Sequence, residues 1–207
     1  MAKPFLTDPA RQALAEATRR VEAGCSAELV VAVRPRSGSY LHADLIAGAV
    51  TALAALAFLI FSPWPFAPVW LVADPFLAGL LGALLSSRLP ALRRALTKPA
   101  LRRERTERAA RSTFVERRIH TTAGRTGILL YVSLLEREAA FVVDIGVEPV
   151  AATPPWRSAA GEIEAAVRRG ENGVQVAKRI ESLAAILPTA LPRSADDVDE
   201  LANEVCE

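Results

Sequence analysis

Apolar positions along this chain fall into three patterns, and each predicts a different kind of element. The first is helical. Ala10, Leu14, Ala17 and Val21 recur at helix spacing after Asp8-Pro9, which reads as an N-cap followed by proline at the first helical position, and Gly24 is a natural stop. The same spacing returns over residues 99–118, with Leu101, Ala109, Ala110 and Phe114 toward a core and arginines outward. It appears again over 158–169 and 174–187, where Gly170 and Asn172-Gly173 separate the two helices and Pro188 closes the second.

The second pattern is the short β-branched run. Residues 28–34, 127–135 and 139–144 each have strand length and bulk. The brief Glu136-Arg137-Glu138 link makes the last two an antiparallel hairpin. Their nearly continuous apolar character predicts a sheet covered on both faces.

The third pattern has no period. From Leu45 to Ser87 almost every residue is apolar and Asp74 is the only charge. A bilayer core about 30 Å thick takes roughly 20 apolar residues as a helix, so this block is too long for one span and suits two. Ser62-Pro63-Trp64-Pro65-Phe66-Ala67-Pro68 supplies the turn, because closely spaced prolines cannot continue a helix. Its aromatic rings, with Trp70, suit a membrane–water interface. The spans are predicted at 44–61 and 69–87. Asp74, inside the second, is a candidate intramembrane functional residue; its nearness to the proline turn offers a plainer reading, a carboxylate reaching the interface.

Composition sharpens this picture. A mean hydropathy of +0.23 is high for so arginine-rich a chain, and the apolar block accounts for it. Met1–Asp8 holds no apolar run behind Lys3 and no small-residue cleavage site, so no secretory signal is expected and the spans act as internal anchors. From Arg88 to Arg125 there are twelve basic residues against three acidic ones, and Arg34 and Arg36 precede the first span. Positive flanks mark the cytoplasmic side, which puts the proline turn outside and both termini inside. With two spans, residues 1–43 and 89–207 share a compartment and form one cytoplasmic α/β domain, interrupted by a transmembrane hairpin at 44–88. The basic run lacks aromatic interleaving and directly follows a span, so it reads as anchoring to anionic lipid; no nucleic-acid partner is expected.

Candidate chemistry is sparse. Cys25 and Cys206 form no motif with each other or with His42 and His120, which excludes a zinc or redox pattern. No nucleophile–base grouping and no phosphate-cradling loop of P-loop spacing is present, so no catalytic residue is assigned. Hard-metal ligands could come from Asp144, at a strand end, and from Asp196, Asp197, Asp199 and Glu200, though their spacing is not that of an EF-hand and a solvated acidic tail is the plainer reading. Trp156, after Pro154-Pro155, is either a packed core residue or an exposed partner anchor. Gly79 and Gly82-Ala83 are small enough for the spans to pack against copies of the chain or against a partner.

Residues 26–33, 125–137 and 141–146, together with Trp156, resemble the TPM domain family, and more closely its bacterial inner-membrane branch. Leu191-Pro192 and the stretch from Asp196 to Leu201 add to the likeness. The resemblance spans nearly all of the chain outside the hairpin, and its most specific part is Thr126 to Arg137. It implies an α/β sandwich, a small central sheet flanked by helices. In that family a plant relative is associated with weak acid phosphatase activity and photosystem repair, an animal relative is an accessory subunit of a receptor, and some bacterial relatives bind calcium or magnesium. Members often occur beside a LemA-type membrane protein. The phosphatase-like branch commonly has Asp-Asn-Gly where this chain has Arg125-Thr126-Gly127, which replaces a carboxylate by a cation. The expectation is therefore a membrane-anchored interaction module that assists assembly, repair or regulation of a membrane complex, with a membrane-protein partner or a homo-oligomer. The alternative is a divalent-metal-dependent phosphatase at the cytoplasmic membrane surface.

Overall fold

A computed structural model describes residues 5–193 of the chain. In chain order the elements are α1 (Asp8–Glu22), β1 (Glu28–Arg34), α2 (Leu41–Phe61), α3 (Trp70–Arg88), α4 (Pro90–Ala95) and α5 (Pro99–Glu116), then β2 (Gly127–Ser133), β3 (Glu138–Val143), α6 (Glu148–Ala151), α7 (Pro154–Arg169), α8 (Gly173–Ile180) and α9 (Leu187–Ala190). Single 3₁₀ turns lie at Ile119–Thr121 and Glu181–Ala185. Two compact units result. One joins the segments before Ser37 and after Arg103, and the other is Gly38–Arg102.

The first unit is a mixed α/β sandwich on a three-stranded sheet of order β1-β2-β3. β1 runs parallel to β2, Glu28 opposite Gly127 through Arg34 opposite Ser133. β3 returns antiparallel, with Ile128 opposite Val143. A parallel pair needs a long crossover, and here the whole second unit and α5 lie within it. β2 is buried along its length, so both faces of the sheet carry apolar residues. Leu29, Val31, Ile128 and Leu130 pack with Leu14 of α1 and Ile163 of α7 on one face. Val30, Leu129 and Tyr131 pack with Ala110 and Phe114 of α5 and with Ile119 on the other.

Local chemistry moves several boundaries. The N-cap of α1 is Thr7, not Asp8: the Thr7 hydroxyl accepts the Ala10 N–H at 3.3 Å, and Asp8 sits in the first turn, where its charge favours the helix dipole. Residues 134–137 make the β2–β3 turn, with Arg137 in the left-handed region at φ 52°, and Glu138 belongs to β3. α7 begins at Pro154, because prolines in a first turn give up no hydrogen bond. It ends at Gly170, whose φ of 79° makes the left-handed cap. The helix expected over 174–187 is instead α8, a 3₁₀ turn and α9. Asn172 and Gln175 start α8 with a reciprocal capping box, and Pro188 lies in the first turn of α9 rather than closing a helix.

The second unit centres on α2 and α3, both long and apolar enough to cross a membrane. They pack on each other through small residues. A Cβ added to Gly48 would stand 2.8 Å from the Gly79 carbonyl oxygen, so the two backbones touch. Thr51 Oγ1 lies 3.0 Å from the Ala78 carbonyl across the seam. Large side chains face outward instead: Leu45, Val50, Leu53, Phe76, Leu81 and Leu84 are all exposed.

Candidate functional site

Asp144, the strand-end carboxylate, is 5% exposed. Its Oδ1 accepts the Ile145 N–H at 2.8 Å, and Arg125 Nε stands 3.0 Å from Oδ2. Arg125 reaches it from a left-handed turn at φ 54°, whose carbonyl accepts the Gly146 N–H at 2.9 Å. The two turns at this end of the β2–β3 ladder therefore hold each other, and a guanidinium stands beside Asp144 Oδ2 as an ion pair without a hydrogen bond to it. Among the described residues no group of three His, Cys, Asp or Glu side chains comes together. Asp196, Asp197, Asp199 and Glu200 lie outside the described residues.

Trp156 belongs to the core. It is 4% exposed and meets Phe141 of β3 edge-on, ring centroids 5.6 Å apart. As a side chain already packed in its own domain it is not an exposed partner anchor. The reason is local: Pro154 and Pro155 start α7 rather than a corner, which turns Trp156 onto the sheet. Asp74 is half-buried in the early turns of α3, one residue before Pro75, and makes no hydrogen bond or ion pair among the described residues. Gly79 and Gly82, expected to meet copies or a partner, are taken up by the seam with α2.

Two polar clusters were not anticipated. At the far end of the sheet, Glu136 is fully buried. The Ser37 N–H donates to its Oε1 at 2.8 Å, Ser133 donates to Oε2, and Ser37 Oγ lies 2.6 Å from Ser133 Oγ and 3.2 Å from Tyr131 Oη. Burial pushes the Tyr131 hydroxyl above its ordinary range, the Ser37 contact working against it. This cluster clamps the chain after β1 to the β2–β3 turn, at Ser37, where the first segment of the first unit ends. A serine, a tyrosine and a glutamate scattered over a hundred positions carry no spacing signature, which is why sequence reasoning passed over them.

The second cluster lies in the other unit. Asp44 of α2 accepts Ser86 Oγ at 2.9 Å and Arg93 Nε at 3.0 Å on Oδ1, and Arg93 Nη2 at 2.6 Å on Oδ2. The forked guanidinium ties α4 to α2. Asp44 is the last carboxylate before the first apolar run, and a charge placed there calls for a partner. That was the available clue.

No family model matches the chain, and no curated protein matches it. It is similar to a solved structure, the NMR structure of the BA42 protein from the psychrophilic bacterium Bizionia argentinensis, at 16% identity with a TM-score of 0.59. The match covers 100% of this chain and 97% of that one. At this identity the likeness carries the mixed α/β fold and nothing of the chemistry.

Proposed function

We propose that the chain is a membrane-anchored interaction module of the TPM type, with α2 and α3 as a transmembrane hairpin in a bacterial inner membrane and the α/β domain at its cytoplasmic face. The observation that carries this reading is the outer surface of the hairpin. Gly48, Thr51, Gly79 and Gly82 are spent on the α2–α3 seam, while leucines, valines and phenylalanines face outward on both helices. A continuous apolar surface of this kind is costly in water and at home in lipid.

Topology supports the sidedness. β1 precedes the hairpin and β2 follows it, yet the two pair residue for residue, so an insert between them must return to the side it left. Two crossings satisfy that, and the basic residues after α3 favour the cytoplasm. The first unit offers a scaffold and no catalytic grouping among its described residues. The competing phosphatase reading needs Asp144 for a cation, and Arg125 already holds it.

The test is purification of the C-terminally tagged chain from membranes in mild detergent, with mass spectrometry and a stoichiometry measurement. A membrane protein recovered in fixed ratio is expected, a LemA-type helical protein being the first one to look for. A pure homo-oligomer, or a chain that alkaline carbonate strips from the membrane, would overturn the proposal.

A further inference from the structure

Among the described residues, one edge of the sheet is more closed than the other. On β1 the outward N–H of Leu29 donates to Glu22 Oε1 at 2.9 Å, and Cys25 just upstream bridges Pro192. Every residue from Glu28 to Val33 is buried. β3 differs. The Asp144 N–H donates to the Gly127 carbonyl at 2.9 Å, and bonding in an antiparallel pair alternates. Asp144, Val142 and Ala140 therefore direct their main-chain groups at β2, and Val143, Phe141 and Ala139 direct theirs outward, where no described residue bonds to them.

A cleft of about 270 Å³ runs along this edge. Residues 139–142 line it together with Arg103, Glu107 and Arg111 of α5 and Glu164 of α7. Arg103 is paired with Glu107 at 3.0 Å. Glu164 is half-buried and makes no hydrogen bond or ion pair among the described residues. Desolvation holds its carboxyl above the usual carboxylate range, with the more distant Arg103 and Arg168 only partly offsetting it.

We propose that β3 is a docking edge for an extended segment of another protein, which adds as a further strand and sets a lysine or arginine against Glu164. The proposal rests on the reading of the chain as an interaction module and gives its partner a chemistry. Main-chain bonds to Ala139, Phe141 and Val143 supply strand addition, and side chains of the added strand alternate between the α7 side and the α5 side. Those on the α7 side meet the unpaired carboxylate; those on the α5 side meet Arg111, which favours an acidic residue. The segment therefore carries a basic residue with acidic neighbours. A second copy is a poorer occupant. Two-fold antiparallel pairing of β3 with itself keeps each face on its own side, so α7 would lie beside α7 and α5 beside α5, like charge beside like.

The test selects random ten-residue peptides displayed on phage against the full chain in detergent. Peptides with lysine or arginine flanked at neighbouring positions by acidic residues are expected. Glu164→Gln should weaken them about tenfold, the weight of one charge-assisted hydrogen bond. Ala139→Pro should abolish binding, since it removes an outward donor and no bond to β2. Should that variant fail to fold, amide exchange of the unaltered chain decides: peptide should slow the amides of Ala139, Phe141 and Val143 and leave those of Ala140 and Val142 unchanged. No enriched peptide, or protection elsewhere, overturns the proposal. A dimer that Ala139→Pro disperses assigns the edge to a second copy and also overturns it. If purification yields a stoichiometric partner that both variants still bind, the edge proposal falls and the module reading stands.

Discussion

Removing the Asp44 carboxylate is the sharpest perturbation of the hairpin unit. Asp44→Ala deletes the acceptor of three hydrogen bonds, one from Ser86 and two from Arg93. The two charged side chains are only 12% and 14% exposed, so Arg93 would be left largely desolvated without its counter-charge. Breaking a buried pair from one side costs about 3–5 kcal/mol. The residual exposure brings the expectation here to the lower end, about 2–3 kcal/mol. Arg93→Ala should cost a similar amount and Ser86→Ala about 1 kcal/mol, one neutral donor to a charged acceptor. The double variant Asp44→Ala/Arg93→Ala should cost less than the two singles together by roughly 1.5–2 kcal/mol, because neither charge is then stranded. The assay is SDS-driven separation of α2 from α4, read by energy transfer between dyes on cysteines at the exposed positions Leu41 and Leu89, with Cys25 and Cys206 changed to serine. A coupling below about 0.5 kcal/mol would mean that the fork contributes geometry without energy, and the reasoning would be refuted.

Four further outcomes follow from the same description. Gly48→Ala should loosen the α2–α3 seam by about 1–3 kcal/mol, since its Cβ meets a backbone oxygen that cannot rotate away; helix separation in the same assay checks it. Gly161→Ala, in mid-α7 with open space around it, should instead raise the stability of the α/β domain by roughly 0.5–1 kcal/mol in denaturant titration. Trp156→Ala should cost about 3–5 kcal/mol and expose the face of Phe141, seen as a lower denaturation midpoint at unchanged far-ultraviolet signal before unfolding. Hydrogen bonds from Arg179 and then Arg169 hold the Glu171 carboxyl below its ordinary value. That contribution is therefore full above the unfolded carboxylate pKa and is lost as pH falls through the folded one, so a melting-temperature profile should drop on acidification and Glu171→Gln should flatten the drop.

How much of this was legible beforehand depends on the range over which each feature is determined. The runs 28–34, 127–135 and 139–144 announce themselves as strands, to within two residues at their ends, because bulk and β-branching are local properties. The α2–α3 pair is just as local: a long apolar block with one charge, Asp74, broken by Pro63, Pro65 and Pro68. The parallel pairing of Glu28 with Gly127 was out of reach, since nothing in either run names its neighbour across the intervening segment. The side-chain clusters failed for the same reason. Ser37, Tyr131 and Glu136 meet only after the sheet has formed, and Asp44 finds Arg93 only after α3 has turned back through Pro90. Asp144 could be singled out as a strand-end carboxylate, and Arg125 as an unusual cation in that stretch; their pairing followed from the fold alone. Trp156 was open between two readings, and the core one holds because Pro154 and Pro155 start a helix and rotate the ring inward.

The position of the α2–α3 unit within the β1–β2 crossover also dictates an order of events during synthesis. β1 leaves the ribosome first, and its partner β2 follows only after the intervening segment has been made. At an elongation rate of about 10 residues per second that interval is on the order of ten seconds, long compared with the closing of a helix or hairpin. For that time the runs Leu29–Val33 and Leu14–Val21 have no complete sheet to pack with. Assembly of the domain is thereby gated by synthesis of the α2–α3 unit: a chain that ends before Gly127 has β1 and no strand to pair it with.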